Sequence, residues 1–294
     1  VPHAPHLAVT SEPWPGSVAV YSSGNDSGYE LNRIIAARST VGVTTNPLFA
    51  APPGIYDRAD GLIVTLTSGQ LQSVSEAELL DGANLAAIGD GSSGGWELIQ
   101  FRDAELVGDN TYMLSHRLRG QLGSDAWQPA VWPDGSYFVL LDGTPEQIAL
   151  TEAQRNMARH YRIGPARRSY DDPSYRHVID AFEGVGLKPL SPCHLNWAVD
   201  ATGNIDFDWV RRTRIGGDSW EGLDVPLGEE REAYLVHVMQ NGMVVREVEV
   251  SSPRWTYSAG DIAADGVTGT FELNVAQVSG YVGAGAFAVL TVNV

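Results

Sequence analysis

Apolar and polar residues alternate at period two along much of this 294-residue chain, and the strongest stretch lies near its two-thirds point. Over 205–215, Phe207, Trp209, Thr213 and Ile215 fall on one face while Asp206, Asp208, Arg212 and Arg214 fall on the other. That spacing predicts a half-buried strand whose charged outer row neutralises itself. A turn cluster follows, Gly216-Gly217-Asp218-Ser219 with the large aromatic Trp220, and then Pro226-Leu227-Gly228 ahead of a fresh strand at 233–239. From Pro189 onward the pattern predicts strands near 194–199, 205–215, 233–239, 243–250, 254–257, 270–278 and 286–293. Seven short strands with turns at 202–204, 241–242 and 264–266 predict an immunoglobulin-like or fibronectin type III sandwich over 189–294. Asn241-Gly242 between two alternating runs is the strongest hairpin signal in the chain. Trp209 and Tyr234 are expected at the sandwich centre, facing Phe271 and Leu273.

The first 172 residues predict a second, β-rich and barrel-like domain with one or two short helices. Its strands are expected at 18–21, 62–66, 96–101, 111–118 and 137–141, with a hairpin turn at Gly108-Asp109-Asn110. Residues 41–56, with Pro47, Pro52, Pro53 and Gly54, read as an extended crossing piece. Ser75-Glu76-Ala77-Glu78 is a capping box ahead of Leu79-Leu80 and Gly82, which predicts a short helix. In the 111–118 strand, Tyr112, Leu114, His116 and Leu118 share a face, so His116 is expected as a hydrogen-bonded core histidine. Two readings compete over 145–160: one helix, or a strand at 148–150 followed by a short turn, with 161–163 closing the domain. The second is the reading adopted here. The Arg- and Asp-rich stretch 167–173 reads as a surface connection, with the domain boundary between it and Pro189.

Composition supports the mainly β reading: 32 Gly and 16 Pro suit many short strands joined by tight turns. A formal charge of -17 argues against nucleic acid as a partner, because no basic surface exists to displace counterions from phosphates. Cys193 is the only cysteine, so no intrachain disulfide and no cysteine-based zinc cluster can form. No run of about 18 apolar residues predicts a membrane span. The chain opens at Val1-Pro2-His3 without a methionine or a signal peptide and reads as a processed product or a piece of a longer polypeptide.

Candidate chemistry is sparse. Gly217-Asp218-Ser219 and Asp90-Gly91-Ser92 resemble the surroundings of a serine nucleophile, yet no histidine and carboxylate stand in a matching context. Cys193 and His194 are strand neighbours and point to opposite faces, which predicts a packed thiol. His3 and His6 lie in a Pro-rich terminus where histidines are usually solvated. Glu229, Glu230, Arg231 and Glu232 read as a solvated approach to a strand, and Asp261 and Asp265 as turn formers. No phosphate loop, nucleotide fingerprint or metal-ligand spacing is present, so no cofactor and no metal are predicted. The functional hint is Trp14, Trp127, Trp132 and Trp220, each beside Gly, Pro or Asp, as possible surface contacts for sugars or proteins. The competing reading makes each a plug at the end of a barrel or sandwich.

An ordered series of motifs then carries a resemblance. Pro13-Trp14-Pro15-Gly16, Leu80 to Asn84, Trp96-Glu97 with Gln100-Phe101, Leu118-Arg119-Gly120-Gln121, Tyr161 to Pro165, Leu190 to Leu195 and Trp209 to Trp220 resemble the C-terminal portion of the large baseplate hub, or host-specificity, tail proteins of gene transfer agents and related long-tailed phages. The resemblance runs from about Trp14 to the end, and Arg211 to Trp220 is its most distinctive string. It implies a structural and attachment element at the distal tail tip of a virion-like particle. It also implies other tail or baseplate proteins as partners, a homotrimer around the tail axis, contact with the cell envelope and a possible cell-surface glycan. The implied parent chain carries upstream modules, including a barrel similar to glycoside hydrolases, and no catalytic residue falls in this segment. The alternative is a carbohydrate-binding, fibronectin-like accessory region of a glycoside hydrolase.

Overall fold

A computed structural model describes residues 1–217 and 225–293, and divides the chain into two compact units, Val1–Gly186 and Leu187–Val294. The first unit therefore includes residues 173–186, and the division falls between the Arg- and Asp-rich stretch and Pro189. Arg176–Asp180, where no strand was expected, forms a strand of this unit by pairing antiparallel with Arg159–Pro165.

Six strands of the first unit close on themselves. In order round the barrel they are Val41–Thr44, Leu62–Ser68, Thr111–Leu118, Glu97–Gly108, Leu85–Gly89 and Tyr137–Leu140, the last pairing back to the first. Every pairing is antiparallel, and closure leaves no free edge to recruit another chain. Tyr56–Asp57 adds a short ladder to the end of Thr111–Leu118. The alternation in Leu62–Ser68 sends Leu62, Val64 and Leu66 inward, where they meet Ile88, Ile99, Leu114 and Phe138. The Phe101 and Phe138 rings lie 6.2 Å apart in this core. Residues 41–56 thus do more than cross the fold: Val41 to Thr44 alternates and enters the barrel, and the prolines mark only the connection after it. The helix Glu76–Leu80 carries the complete capping box on Ser75 and buries Leu79.

The two flanks of the barrel sequence build a separate sheet in the order Arg176–Asp180, Arg159–Pro165, Val18–Ser23, Glu30–Ile35. Its inner face packs Val20, Ile35 and Tyr161 with Ile148. The barrel is thereby an insertion between Ile35 and residue 141. Over 145–160 the chain forms a two-residue strand, Glu146–Gln147, and a 3-10 turn, Glu152–Gln154, capped by Thr151. The adopted reading placed the strand about two residues late.

The second unit is a sandwich. One sheet holds Cys193–Val199, Ile205–Val210 and Arg254–Tyr257; the other orders Met243–Val250, Tyr234–Gln240, Thr270–Ser279 and Ala288–Asn293, with Gly283–Ala284 alongside Thr270–Ser279. This three-plus-four division is the fibronectin type III arrangement. Asn241 and Gly242, at φ 53° and 77°, make the two-residue turn that the right-handed strand twist favours. Trp209 meets Tyr234 edge-on at 5.3 Å, and Phe271 and Leu273 belong to the same core.

Three expectations for this unit change. The strand starting at Ile205 ends at Val210, because Arg211 donates to the carbonyls of Val225 and Pro226 and Arg212 to that of Ser191. Glu229 is not solvated: its side chain is buried and pairs with Arg214 at 3.0 Å, while Glu230 accepts from the Gly280 amide. Asp265 ends a helix, Ala259–Asp265, and accepts from Arg246 and from the Tyr257 hydroxyl. Among the described residues no helix is long and apolar enough to cross a membrane.

Candidate functional site

Two motifs of the series, Trp96-Glu97 and Leu118-Arg119-Gly120-Gln121, converge at one end of the barrel. Their meeting depends on His116, which adopts φ 49° in the middle of Thr111–Leu118. A left-handed residue breaks the alternation, so the buried positions step from Tyr112 and Leu114 to Arg117 and Arg119. His116 is accordingly not in the core: it is half-exposed and bonds Asp103 at 2.6 Å. That overturns the expectation made from period two alone.

Arg119 and Glu97 are both fully buried and form a bidentate pair, Nε to Oε1 at 2.7 Å and Nη2 to Oε2 at 2.8 Å. Glu97 Oε1 also accepts from the Gly120 amide and from Gln128, and Oε2 accepts from Trp132 Nε1 at 2.8 Å. Arg119 Nη1 donates to the Phe49 carbonyl and to Asp57, which accepts in turn from Arg117. Two carboxylates and two guanidiniums thus form a neutral, hydrogen-bonded cluster in the interior. Such a group is stable only when every member is paired, since desolvation costs several kcal/mol per ion. Gly120, at φ 60°, is required by geometry: a Cβ there would lie 2.6 Å from the Asp125 side chain.

Burial works against the charged form of Asp57. The Ala59 amide and the Arg117 and Arg119 guanidiniums outweigh it, and hold its carboxyl below the ordinary range. A depressed folded value means that its stabilisation is complete above the unfolded value of about 4 and is lost as pH falls through the folded one. Thermal unfolding from about pH 5 down to about pH 3 should therefore show a steeper loss in the wild type than in Asp57→Asn. Equal slopes would mean that Asp57 is not held ionised.

Of the four tryptophans expected as surface contacts, Trp132 is corrected. It is 7% exposed and its ring nitrogen is committed to Glu97, so it is a plug. Trp14, whose Nε1 donates to the Gly16 carbonyl, and Trp127, which ends the 3-10 segment Gln121–Trp127, are half-buried. Trp220 lies outside the described residues, as do Asp218 and Ser219 of the serine motif. In the second serine motif, Ser92 takes part in a local turn, its amide donating to Asp90 and its hydroxyl to Gly94. His3 bonds the Leu150 carbonyl, and His194 is exposed beside a half-buried Cys193.

Sequence reasoning missed one cluster. On the outer face of the four-stranded sheet, Asp26, His160 and His177 bring ligand-type atoms within 4.8 Å of one another. His160 Nδ1 and His177 Nε2 face each other at 3.0 Å, with the rings stacked at 14°. Asp26 accepts from the Tyr29 hydroxyl and from Arg162 Nη2, and these contacts keep its carboxyl below the usual range. The three positions have no motif spacing because antiparallel pairing, with Arg162 opposite His177, is what joins them.

Comparison with known proteins gives one family-model match and weak likenesses to solved structures. The family model "Rcc01698-like, C-terminal" matches residues 39–139, about a third of the chain, and this span coincides with the closed barrel. No curated protein matches the chain. The rat CD45 extracellular region, domains d3-d4, is 8% identical with a TM-score of 0.27, covering 50% of this chain and 68% of that one. The chicken CNTN1 FN1-FN3 domains are 13% identical, also with a TM-score of 0.27, covering 86% of this chain and 65% of that one. Likenesses this weak leave the strand order as the basis for the fold, and the barrel is the part of this chain that is similar to the Rcc01698-like family.

Proposed function

We propose that the chain is a structural module of the tail tip or baseplate of a phage-like particle, engaged in tail assembly and in attachment to the host cell surface. One observation carries the reading. The buried Glu97–Arg119 pair fixes three segments of backbone, through Phe49 O, Gly120 N and the Trp132 ring, and those same segments bear exposed apolar side chains. Phe49 is 66% exposed and Leu122 77% exposed, and Trp127 and Val131 stand in the same segments. A rigid charged core holding apolar loop residues in fixed positions suits a surface that docks neighbouring proteins, since preorganised contacts lose little entropy on binding. The motif residues Glu97 and Arg119 are used for architecture here, and the reading assigns no catalytic step to this segment. The match of the barrel to the Rcc01698-like family supports it, as does the resemblance of the motif series to tail proteins of gene transfer agents.

In this reading the partners are other tail or baseplate proteins and two further copies of the chain. The strongly acidic surface keeps the assembly soluble, and several copies on one particle multiply weak contacts with a cell-surface glycan. The purified chain is expected to adsorb saturably to host cells and to compete with whole particles. Trp14→Ala with Trp127→Ala should weaken adsorption about tenfold or more while shifting the melting temperature little. Adsorption that is absent, or unchanged in the double variant, would count against the attachment role. Binding to soluble polysaccharide without any association with tail proteins would favour an accessory region of a glycoside hydrolase.

A further inference from the structure

We propose that Asp26, His160 and His177 form a binding site for one divalent late first-row transition-metal ion, with water completing its coordination. The argument starts from the sheet. His160 and Arg162 alternate with the inward-facing Tyr161 and Ile163, so both point to the outer face, and His177 stands opposite Arg162. The two histidines are therefore diagonal neighbours on adjacent strands, a separation that ring side chains can span. The two strands that carry the imidazoles are held together by their backbone ladder, which fixes the spacing from which the rings reach each other.

That separation is 3.0 Å. Two nitrogens each about 2.0–2.1 Å from a tetrahedral ion stand about 3.3 Å apart, so the pair needs to open by only a few tenths of an ångström. The closest Asp26 oxygen lies 3.9 Å from His177 Nε2, within a small side-chain rotation of the same geometry. Each ring can keep its one proton on the nitrogen facing away, so both facing nitrogens become free as ligands by a change of tautomer. Arg162 Nη2 is 3.1 Å from Asp26 Oδ1 and its guanidinium lies over the Tyr29 ring at 5.1 Å. These contacts orient the carboxylate from outside the ligand set, the usual way in which a ligand is held by its neighbours. Two imidazoles and one carboxylate with open positions select zinc, cobalt, nickel or copper over calcium and magnesium, which prefer oxygen alone.

The test uses the whole untagged chain with Zn²⁺ and, as a spectroscopic probe, Co²⁺. Calorimetry should report one ion per chain, and Co²⁺ should develop the visible bands of a low-coordinate nitrogen-bound ion. His160→Ala and His177→Ala should each weaken binding about a hundredfold, and Asp26→Asn about tenfold, by removal of a direct ligand. His3→Ala with His6→Ala should leave it unchanged. Should a variant misfold, paramagnetic broadening of two histidine signals by Co²⁺ in the wild type reads the same site. Failure of either ion to bind at millimolar concentration, broadening of other histidines, or binding that survives both His160→Ala and His177→Ala would overturn the proposal.

Discussion

Glu97→Gln is expected to destabilise the barrel by about 3–5 kcal/mol, the loss typical of breaking one partner out of a buried ion pair. The reason is specific. Both Glu97 oxygens accept hydrogen bonds, Oε1 from Arg119, Gly120 and Gln128 and Oε2 from Arg119 and Trp132. A glutamine amide must replace one acceptor by a donor, so it meets N–H groups with its own and leaves Asp57 alone to balance the Arg117 and Arg119 guanidiniums. Arg119→Met should cost about as much, since it strands Glu97 in the interior. The double variant should lose much less than the sum, because the buried charges are then removed together. Hydrogen exchange resolved to barrel peptides measures these losses, and it does so without requiring two units to unfold as one. Additive losses would mean that the pair does not act as a unit.

Trp209→Ala should cost about 3–5 kcal/mol in the second unit, the usual range for truncating a large buried aromatic. Its ring is 3% exposed, and Ile205 and Phe207 from the same strand share a core with Tyr234, Val236 and Phe271 from the facing sheet. Removing it opens a cavity between sheets that are each held by their own hydrogen-bond ladders, so collapse cannot refill the space. Hydrogen exchange resolved to peptides of this unit reads the loss, because four of the eight tryptophans lie in the first unit and would mix into bulk fluorescence. A loss under about 1 kcal/mol would contradict the central placement of Trp209.

The contrast between these two residues marks what was legible in the sequence. Trp209 belongs to a strand with one wet face, and alternation there reports burial directly. The strand Leu85–Gly89 went unread because all but its first residue are buried, which erases the period-two signal. Alternation also misled where the described residues offer no partner strand: Arg211 to Arg214 continue the pattern of the preceding strand, but the first two use their guanidiniums on backbone carbonyls of neighbouring loops. At His116 a single residue with positive φ moved Arg117 and Arg119 from the solvent side to the interior, a step that no periodicity contains. The available signal was chemical: an Arg-Gly pair and a Trp-Glu pair in order along one chain, where glycine permits the turn and the glutamate supplies the buried acceptor. The Asp26, His160 and His177 cluster had no such signal, since its members are joined only by the register of two strands and a neighbouring loop.

The proposed function rests on where the chain belongs in a particle, and an electron-microscopy map of intact tails measures that most directly. Density at the distal tip should accept both the closed barrel and the sandwich in threefold-related copies, with the segments bearing Phe49, Leu122 and Trp127 against a neighbouring protein. A tail tip without room for them, or particles from which the chain is missing, would contradict it.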